Sequence, residues 1–181
     1  ALGIGLIPAE CIVDKDIMDN ETVVDTVKNL RENLKVRARG SATAISGHSV
    51  IVKKAELPLM SEGELRQTLP IEAEQYIPFD MNDVYLDTFI LGESIERSDM
   101  MDVLFVAAKR ELVDEYASAV RNAGLKPMLI DIDVFSLETM YEVNYPDAPE
   151  SIVALVDAGA SMINVNVIKD GMSIFARDIS M

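Results

Sequence analysis

Apolar residues recur at helical spacing in three stretches of the chain, and the first stretch has clear start and stop signals. Asp19 precedes it at an N-cap position, and Gly40 is the residue expected to stop the helix. The apolar positions are Val23, Val27, Leu30 and Leu34. Their spacing predicts one amphipathic helix between Asp19 and Gly40, with its apolar side against the core.

The second helical stretch opens with a capping box and contains a proline. Ser61 and Glu64 are spaced so that each side chain can satisfy the backbone amide of the other. The apolar positions are Leu65, Leu69, Ala73 and Tyr76. Pro70 lies within this pattern, so we expect the helix to be kinked or to restart there, with Pro70 in a first turn. Pro78 should end the helix, because the residue before a proline is disfavoured in helical conformation.

A third helix is predicted just before Gly124, and strand-like runs surround the second and third helices. The apolar positions of the third helix are Leu112, Val113, Tyr116, Val120 and Ala123. The strand-like runs are SATAIS, SVIVKKAEL, VYLDTFILG, MDVLFVAAK and KPMLIDID. From Ser49 to Asp133 the predicted order is β-α-β-β-α-β, the split βαβ pattern in which two helices cover one face of a small sheet. A short helix from Phe135 to Val143 is expected next.

Three strands and two tight turns are predicted in the run VALVDAGASMINVNVIKDGMSIFARDIS, which follows a linker at Pro146 to Glu150. The first turn contains Asp157, Gly159 and Ser161. One interpretation is a phosphate loop, in which Gly159 lets the backbone approach an oxyanion and Asp157 orders a magnesium ion through water. The other interpretation is an ordinary β-turn, since Asp and Gly are common turn residues.

The composition is that of an acidic globular protein. The 181 residues are 49% hydrophobic and carry a net charge of −15, which repels phosphate backbones and anionic lipid headgroups. We therefore expect no nucleic-acid partner and no direct membrane insertion. No apolar run approaches the about 20 residues that a membrane-spanning helix needs. The sequence begins with Ala1 rather than Met, so we expect it to be a piece of a longer protein.

Few side chains suit catalysis or metal binding. The single cysteine, Cys11, and the single histidine, His48, leave a His/Cys zinc site without enough ligands, and both are expected to be structural. Asp131 and Asp133 close a predicted strand, either as a metal or acid–base pair or, as is commoner, as the end of the strand and the cap of the next helix. Neither a Gly-Lys-Ser/Thr phosphate loop nor a Rossmann glycine triplet occurs. The sequence therefore predicts no catalytic residues, no metal site and no complete enzyme.

One segment is far more specific than these general features. Residues 71–92, IEAEQYIPFDMNDVYLDTFILG, strongly resemble the PilM family, the actin-like cytoplasmic proteins of the type IV pilus assembly platform. LPLMSEGEL before this segment and VLFVAAKRELVDEYASAVRNAGLKPMLIDID after it extend the resemblance to essentially the whole chain. The run EAEQYIPF, from Glu72 to Phe79, is close to a signature of that family.

The resemblance implies a mixed α/β fold that is part of an actin-like ATPase fold, related to the cell-division protein FtsA. Residues 1–47 and 133–148 would belong to subdomain 1A, residues 48–132 would form the inserted β-α-β-β-α-β subdomain 1C, and residues 149–181 would begin subdomain 2A with its first β-hairpin. These four ranges are the expected domain organisation.

For nucleotide binding, the resemblance implies that ATP lies between two lobes in the family. Asp157, Gly159 and Ser161 would match its second phosphate motif, although Ala160 and Ile163 depart from the usual pattern. The first phosphate loop would precede the chain and the adenosine segment would follow it. We therefore expect no cofactor and no tight ATP binding in this chain, with ATP and Mg²⁺ possible only in the full-length protein.

For partners, the resemblance implies a scaffold for pilus assembly and twitching motility. The cytoplasmic N-terminal segment of the inner-membrane protein PilN would bind a groove between subdomains 1A and 1C, with PilO, PilP and the pilus motor ATPases as indirect partners. Tyr76, Ile77, Pro78 and Phe79 are candidate contact residues, or alternatively a helix stop packed into the 1C core. The protein would be cytoplasmic and recruited to the inner membrane by its partners. The alternatives are an ATP-dependent actin-like switch and an FtsA-like division or secretion-system adaptor.

Overall fold

The computed structural model describes residues 1–94, 97–146, 152–169 and 171–180, which form ten strands and four α-helices. The helices are α1 Asn20–Asn33, α2 Glu62–Glu74, α3 Arg110–Asn122 and α4 Asp133–Asn144. The first strands are β1 Ile12–Val13, β2 Asp16–Ile17, β3 Gly40–Ile45, β4 Val50–Pro58 and β5 Val84–Glu93. The others are β6 Met100–Lys109, β7 Lys126–Ile132, β8 Val153–Ala158, β9 Met162–Lys169 and β10 Met172–Ser180.

These strands form four small sheets within the described residues. β1 and β2 form an antiparallel pair, β3 and β7 pair in parallel, and β4, β6 and β5 form an antiparallel sheet in that order. The last sheet is antiparallel, in the order β10-β9-β8. The three C-terminal strands predicted from the sequence are therefore present, while Asp170 of the second predicted turn and residues 147–150 of the predicted linker lie outside the described residues.

The order β-α-β-β-α-β between β4 and β7 is confirmed, but the split βαβ sheet is a wrong prediction. β7 does not join the sheet of β4, β5 and β6, because it pairs with β3 from Gly40↔Lys126 to Ile45↔Ile132. Ile130 of β7 packs with Ile45 and Leu112 in a core of its own under α3. The division into subdomains stays a prediction, but β7 belongs structurally with β3 rather than with β4 to β6.

Helix α1 starts as predicted and ends earlier than predicted. The Thr22 amide donates to the Asp19 carboxylate at 3.1 Å, which is the expected N-cap. The helix does not reach Gly40, because Lys35 adopts a left-handed conformation with φ 53°. The amides of Lys35 and Val36 donate to the carbonyls of Glu32 and Arg31, the bonding pattern of a Schellman C-cap.

Helix α2 has the predicted capping box but runs through its proline. The Ser61 amide donates to the Glu64 carboxylate at 2.8 Å and the Glu64 amide donates to Ser61 Oγ at 3.3 Å. Pro70 lies inside the continuous helix, so the prediction of a restart with Pro70 in a first turn is wrong. The buried side chains of Leu65 and Ala73 lie on either side of Pro70 and hold the helix on the sheet.

Two of the three hydrophobic cores in the described residues define two main bodies of the molecule. One core lies between α2 and one face of the β4-β6-β5 sheet, and Leu65, Val103 and Phe105 are fully buried in it. The other lies between α1 and α3, where Val23 and Val24 pack with Ala119 and Ala123. The β8-β10 sheet packs on α4 with a face that contains buried polar residues, as described below.

Candidate functional site

A groove of about 670 Å³ lies between the two bodies. One wall is the face of the β4-β6-β5 sheet that points away from α2, and it includes Leu104, Val106 and Ala108 of β6. Successive side chains of a strand point to opposite faces of the sheet. Val103 and Phe105, which alternate with these groove residues along β6, therefore point into the α2 core. The opposite wall is formed by β7 and α4, and Met172 and Ser173 border the groove as well.

The floor of the groove is apolar, and its edge strand is exposed. Ile130, Ile132 and Phe135 face the β6 residues across the groove. On β5, Phe89 is 65% exposed although it lines the groove. Tyr85 is held in place, since its hydroxyl donates to the Asp114 carboxylate at 3.1 Å and the Arg110 guanidinium lies 4.3 Å from the centre of its ring. β5 is also an edge strand of the described sheet, so its outer backbone amides and carbonyls are available for pairing.

Four carboxylates line the groove: Asp87, Asp131, Glu138 and Glu142. No lysine or arginine is among the described residues that line it. Asp131 has a structural role, because it accepts hydrogen bonds from the Ile132 amide at 2.8 Å and the Ser136 hydroxyl at 3.2 Å. Burial raises the pKa of Glu138, and the nearby Glu142 carboxylate raises it further, against the lowering effect of a hydrogen bond from Asn166.

The predicted partner-contact residues do not line this groove. Tyr76 stacks on Phe105, with ring centroids 5.6 Å apart, and Ile77 is buried in the same core. Phe79 packs against that core too, under the Lys109 ammonium at 5.1 Å from its ring centre, while Pro78 is exposed. This placement fits the alternative interpretation of the segment as a helix stop packed into the core, and its role in partner binding stays a prediction.

The predicted phosphate residues lie at the β8–β9 hairpin, with Asp157 near the end of β8 and Gly159 and Ser161 in the turn. The Gly159 amide donates to the Met162 carbonyl at 2.9 Å, and a Cβ at position 159 would lie 3.0 Å from that carbonyl oxygen. Asp157 is exposed and pairs across the sheet with Asn164, and Ser161 is exposed as well. Among the described residues, no hydrogen bond reaches the side chains of Asp157 or Ser161. Their role in phosphate binding stays a prediction.

The Asp133 carboxylate joins α4 to three other segments of the chain. Its carboxylate accepts hydrogen bonds from Ser46 at 2.7 Å, Lys15 at 3.4 Å and Asn164 at 3.5 Å. Asp131 is the last residue but one of β7 while Asp133 begins α4, so the two do not form the pair on one strand that the sequence suggested. No group of three His, Cys, Asp or Glu in the described part of the chain is arranged to hold a metal ion.

Three further side chains with reactive or titratable groups, Cys11, His48 and Tyr116, lie outside the groove. Cys11 is buried, and burial raises the pKa of its thiol. His48 Nε2 lies 3.4 Å from the Ser180 hydroxyl. Burial also raises the pKa of Tyr116 to about 12, and its hydroxyl donates to the Lys15 carbonyl at 2.7 Å.

Apart from Asp131, no groove residue and none of the polar contacts behind the groove was identified as a candidate from the sequence. Asn164 and Asn166 are almost completely buried on the inner face of β9. Their spacing by two in MINVNVIK, at positions that a strand buries, is a signal that could have revealed them. Glu138 and Glu142, four residues apart on α4, are a second such signal, because like charges at this spacing repel each other.

No helix in the described ranges is long and apolar enough to cross a membrane.

Comparison with solved structures places this geometry in a known fold. The chain resembles the solved PilM–PilN type IV pilus biogenesis complex with a TM-score of 0.83 and 25% identity, over 96% of this chain and 52% of that one. It also resembles the cytoplasmic domain of EpsL, an inner membrane component of the type II secretion system of Vibrio cholerae, with a TM-score of 0.56 and 17% identity, over 87% and 56% of the two chains. The chain thus spans about half the length of these structures.

The fold is therefore mixed α/β and corresponds to part of an actin-like ATPase fold, which confirms the fold class expected from the sequence. A family model described as type IV pilus assembly protein PilM matches residues 1–181. The chain belongs to this family, as the EAEQYIPF segment indicated.

Proposed function

We propose that this chain acts in type IV pilus assembly by binding the N-terminal cytoplasmic segment of PilN in the groove between its two bodies. The observation that carries the proposal is the 670 Å³ groove with an apolar floor and an exposed Phe89 on an edge strand. A short extended peptide can pair with an edge strand while its side chains fill apolar pockets. Membership of the PilM family and the similarity to a PilM–PilN complex support PilN as the source of that peptide.

On this proposal the chain is a cytoplasmic scaffold rather than an enzyme. PilN crosses the inner membrane, so binding its cytoplasmic tail recruits the chain to the membrane surface without any insertion of its own. PilO and PilP, which associate with PilN in the assembly platform, and the pilus motor ATPases are then indirect partners. The acidic net charge of −15 agrees with recruitment through a protein, because anionic lipids would repel such a surface.

A fluorescence-anisotropy titration with a labelled peptide of this PilN segment, from the same organism, tests the proposal. We expect saturable binding that ATP with magnesium does not change. Phe89→Ala should weaken it about tenfold, as expected for loss of an aromatic anchor. Phe175→Ala is the matched control, because Phe175 is 49% exposed on β10 and does not line the groove. Equal affinities of both variants and the unmodified chain would contradict binding in this groove.

We further propose nucleotide binding by the longer protein, through the β8–β9 turn. The exposed Asp157 carboxylate, to which no described residue donates a hydrogen bond, and the lack of a side chain at Gly159 favour this turn as half of a phosphate site. A titration with a fluorescent ATP analogue should show no saturable binding to this chain and saturable, Asp157-dependent binding to the longer protein. Tight binding to residues 1–181 alone would contradict the division of the site between two segments.

A further inference from the structure

The carboxylates inside the groove differ from those elsewhere on the same sheet face. Outside the groove, Asp102 of β6 is paired with Lys54 at 2.8 Å and Glu56 of β4 with Arg97 at 3.8 Å. Inside it, neither Asp87 nor Glu142 has an ion-pair partner among the described residues. The groove thus has an excess of negative charge that the described part of the chain does not neutralise.

Asp87 lies at the edge of the sheet wall in an apolar setting. It is directly opposite Val106 in the antiparallel register, and both residues line the groove. Its only hydrogen bond among the described residues is local, from the Thr88 amide at 2.8 Å. This local bond occupies one carboxylate oxygen, so the second oxygen is free to bind a ligand.

Glu138 and Glu142 lie on the opposite wall, four residues apart on α4. Like charges at this spacing on a helix repel each other, and no lysine or arginine among the described groove residues offsets the repulsion. Asn166 holds the Glu138 carboxylate at 3.0 Å, whereas the exposed Glu142 carboxylate has no hydrogen bond from any described residue. A ligand cation between the walls would relieve this repulsion and form charge-assisted hydrogen bonds.

We propose that the groove selects a partner segment that carries a lysine or arginine among its apolar residues, and that Asp87 and Glu142 are the residues that determine this specificity. The proposal rests on the proposed function, because it names the chemistry of the segment that the groove binds. The apolar floor takes the aliphatic and aromatic side chains, and the cation lies between the carboxylates of β5 and α4. A peptide with acidic side chains at the same place would be rejected by like-charge repulsion.

A thermodynamic cycle between peptide and protein tests this proposal. One peptide is the native PilN segment, and the second carries citrulline for each arginine and acetyl-lysine for each lysine, which removes the charge but keeps the shape. We expect the neutral peptide to bind about fivefold to tenfold more weakly, a typical effect for partly exposed charge pairs. The double variant Asp87→Asn, Glu142→Gln should weaken the native peptide by a similar factor and leave the neutral peptide unchanged.

Glu74→Gln is the matched control, because Glu74 is an exposed carboxylate at the end of α2, outside the groove. It removes one negative charge and should leave both affinities unchanged. Equal binding of the native and neutral peptides, or a native segment that binds without any lysine or arginine, would overturn the charge proposal while leaving groove binding intact. Failure of both peptides to bind the folded chain would overturn groove binding itself, and the charge proposal with it.

Discussion

The side-chain amide of Asn166 lies 3.0 Å from the carboxylate of Glu138, and this hydrogen bond joins the β8-β10 sheet to a wall of the groove. The same amide donates to the Val134 carbonyl at 3.2 Å, and Asn166 Oδ1 accepts a hydrogen bond from the Ser173 hydroxyl at 2.6 Å. The sheet is therefore held on α4 by polar contacts in a buried position. Removing one partner of a buried hydrogen bond leaves the other partner unsatisfied, and this lowers the free energy of unfolding.

Replacement of Asn166 by leucine should destabilise the chain although it adds apolar surface. The change leaves the Val134 carbonyl and the Ser173 hydroxyl without the partner that Asn166 provides in a buried position, and we expect the free energy of unfolding to fall by roughly 2–4 kcal/mol. Urea denaturation measures this loss. Asn144→Leu is the control, because Asn144 is exposed and its side-chain amide donates to the Met140 carbonyl of its own helix. This change should alter the free energy of unfolding by no more than about 0.5 kcal/mol. Similar losses for both variants would show that Asn166 is not the contact that holds the sheet.

Replacement of Glu138 by glutamine should change how stability depends on pH. Burial raises the pKa of Glu138 above its ordinary value of 4.5, so the native chain holds this proton more tightly than the unfolded chain. As pH rises from 4.5 through the raised pKa, the wild type loses free energy of unfolding, and the glutamine variant lacks this loss. The amide oxygen of the introduced glutamine can still accept the hydrogen bond from Asn166, so the contact with β9 is retained.

The measurement is the difference in melting temperature between the two proteins from pH 4 to pH 8. Relative to the wild type, Glu138→Gln should become more stable with rising pH. A difference that does not change with pH would mean that Glu138 is no harder to ionise in the folded chain than in the unfolded one.

Local signals predicted the elements of this chain well, because their determinants lie within a few residues of each other. Asp19 and the Ser61–Glu64 capping box start α1 and α2 as expected. Strand-like apolar runs predicted β3 to β10, but nothing in the sequence analysis predicted the two-residue strands β1 and β2. By contrast, the partner of β7 is set by contacts with Ile45 and Leu112, far away in the sequence, and alternation alone fits either sheet.

The candidate site was predictable only in outline. The resemblance implied a groove between two subdomains, and a groove is present, but the segment proposed to contact the partner lies outside it. Tyr76 and Ile77 belong to the most distinctive segment of the sequence, yet they pack into the α2 core. Asp87 and Glu142 are ordinary surface carboxylates by sequence, and only the packing of β5 opposite α4 brings them to one cavity.

Replacement of Lys35 by glycine should stabilise the chain. Lys35 adopts φ 53° at the end of α1, and a side chain in this conformation costs free energy that glycine avoids. Glycine is more flexible in the unfolded chain, which offsets part of this effect, so we expect the free energy of unfolding to rise by roughly 0.5–1 kcal/mol. Lys28→Gly, in the interior of the same helix, is the control and should destabilise the chain by about 1 kcal/mol. Destabilisation by both changes would contradict a C-cap at Lys35.

Replacement of Tyr76 separates its two possible roles, in the core and in partner binding. The Tyr76 ring stacks on Phe105, which points away from the groove, so Tyr76→Ala should lower the free energy of unfolding by about 2 kcal/mol, as for truncation of a partly buried aromatic ring. Tyr76→Leu retains most of the apolar volume and should cost less. Both variants should bind the PilN peptide with unchanged affinity at temperatures where they are folded, whereas Phe89→Ala should lose affinity without losing stability, because Phe89 is mostly exposed. A Tyr76→Leu variant with a normal melting temperature that fails to bind the peptide would place the partner on the α2 side of the sheet, and the groove between the two bodies would then need another occupant.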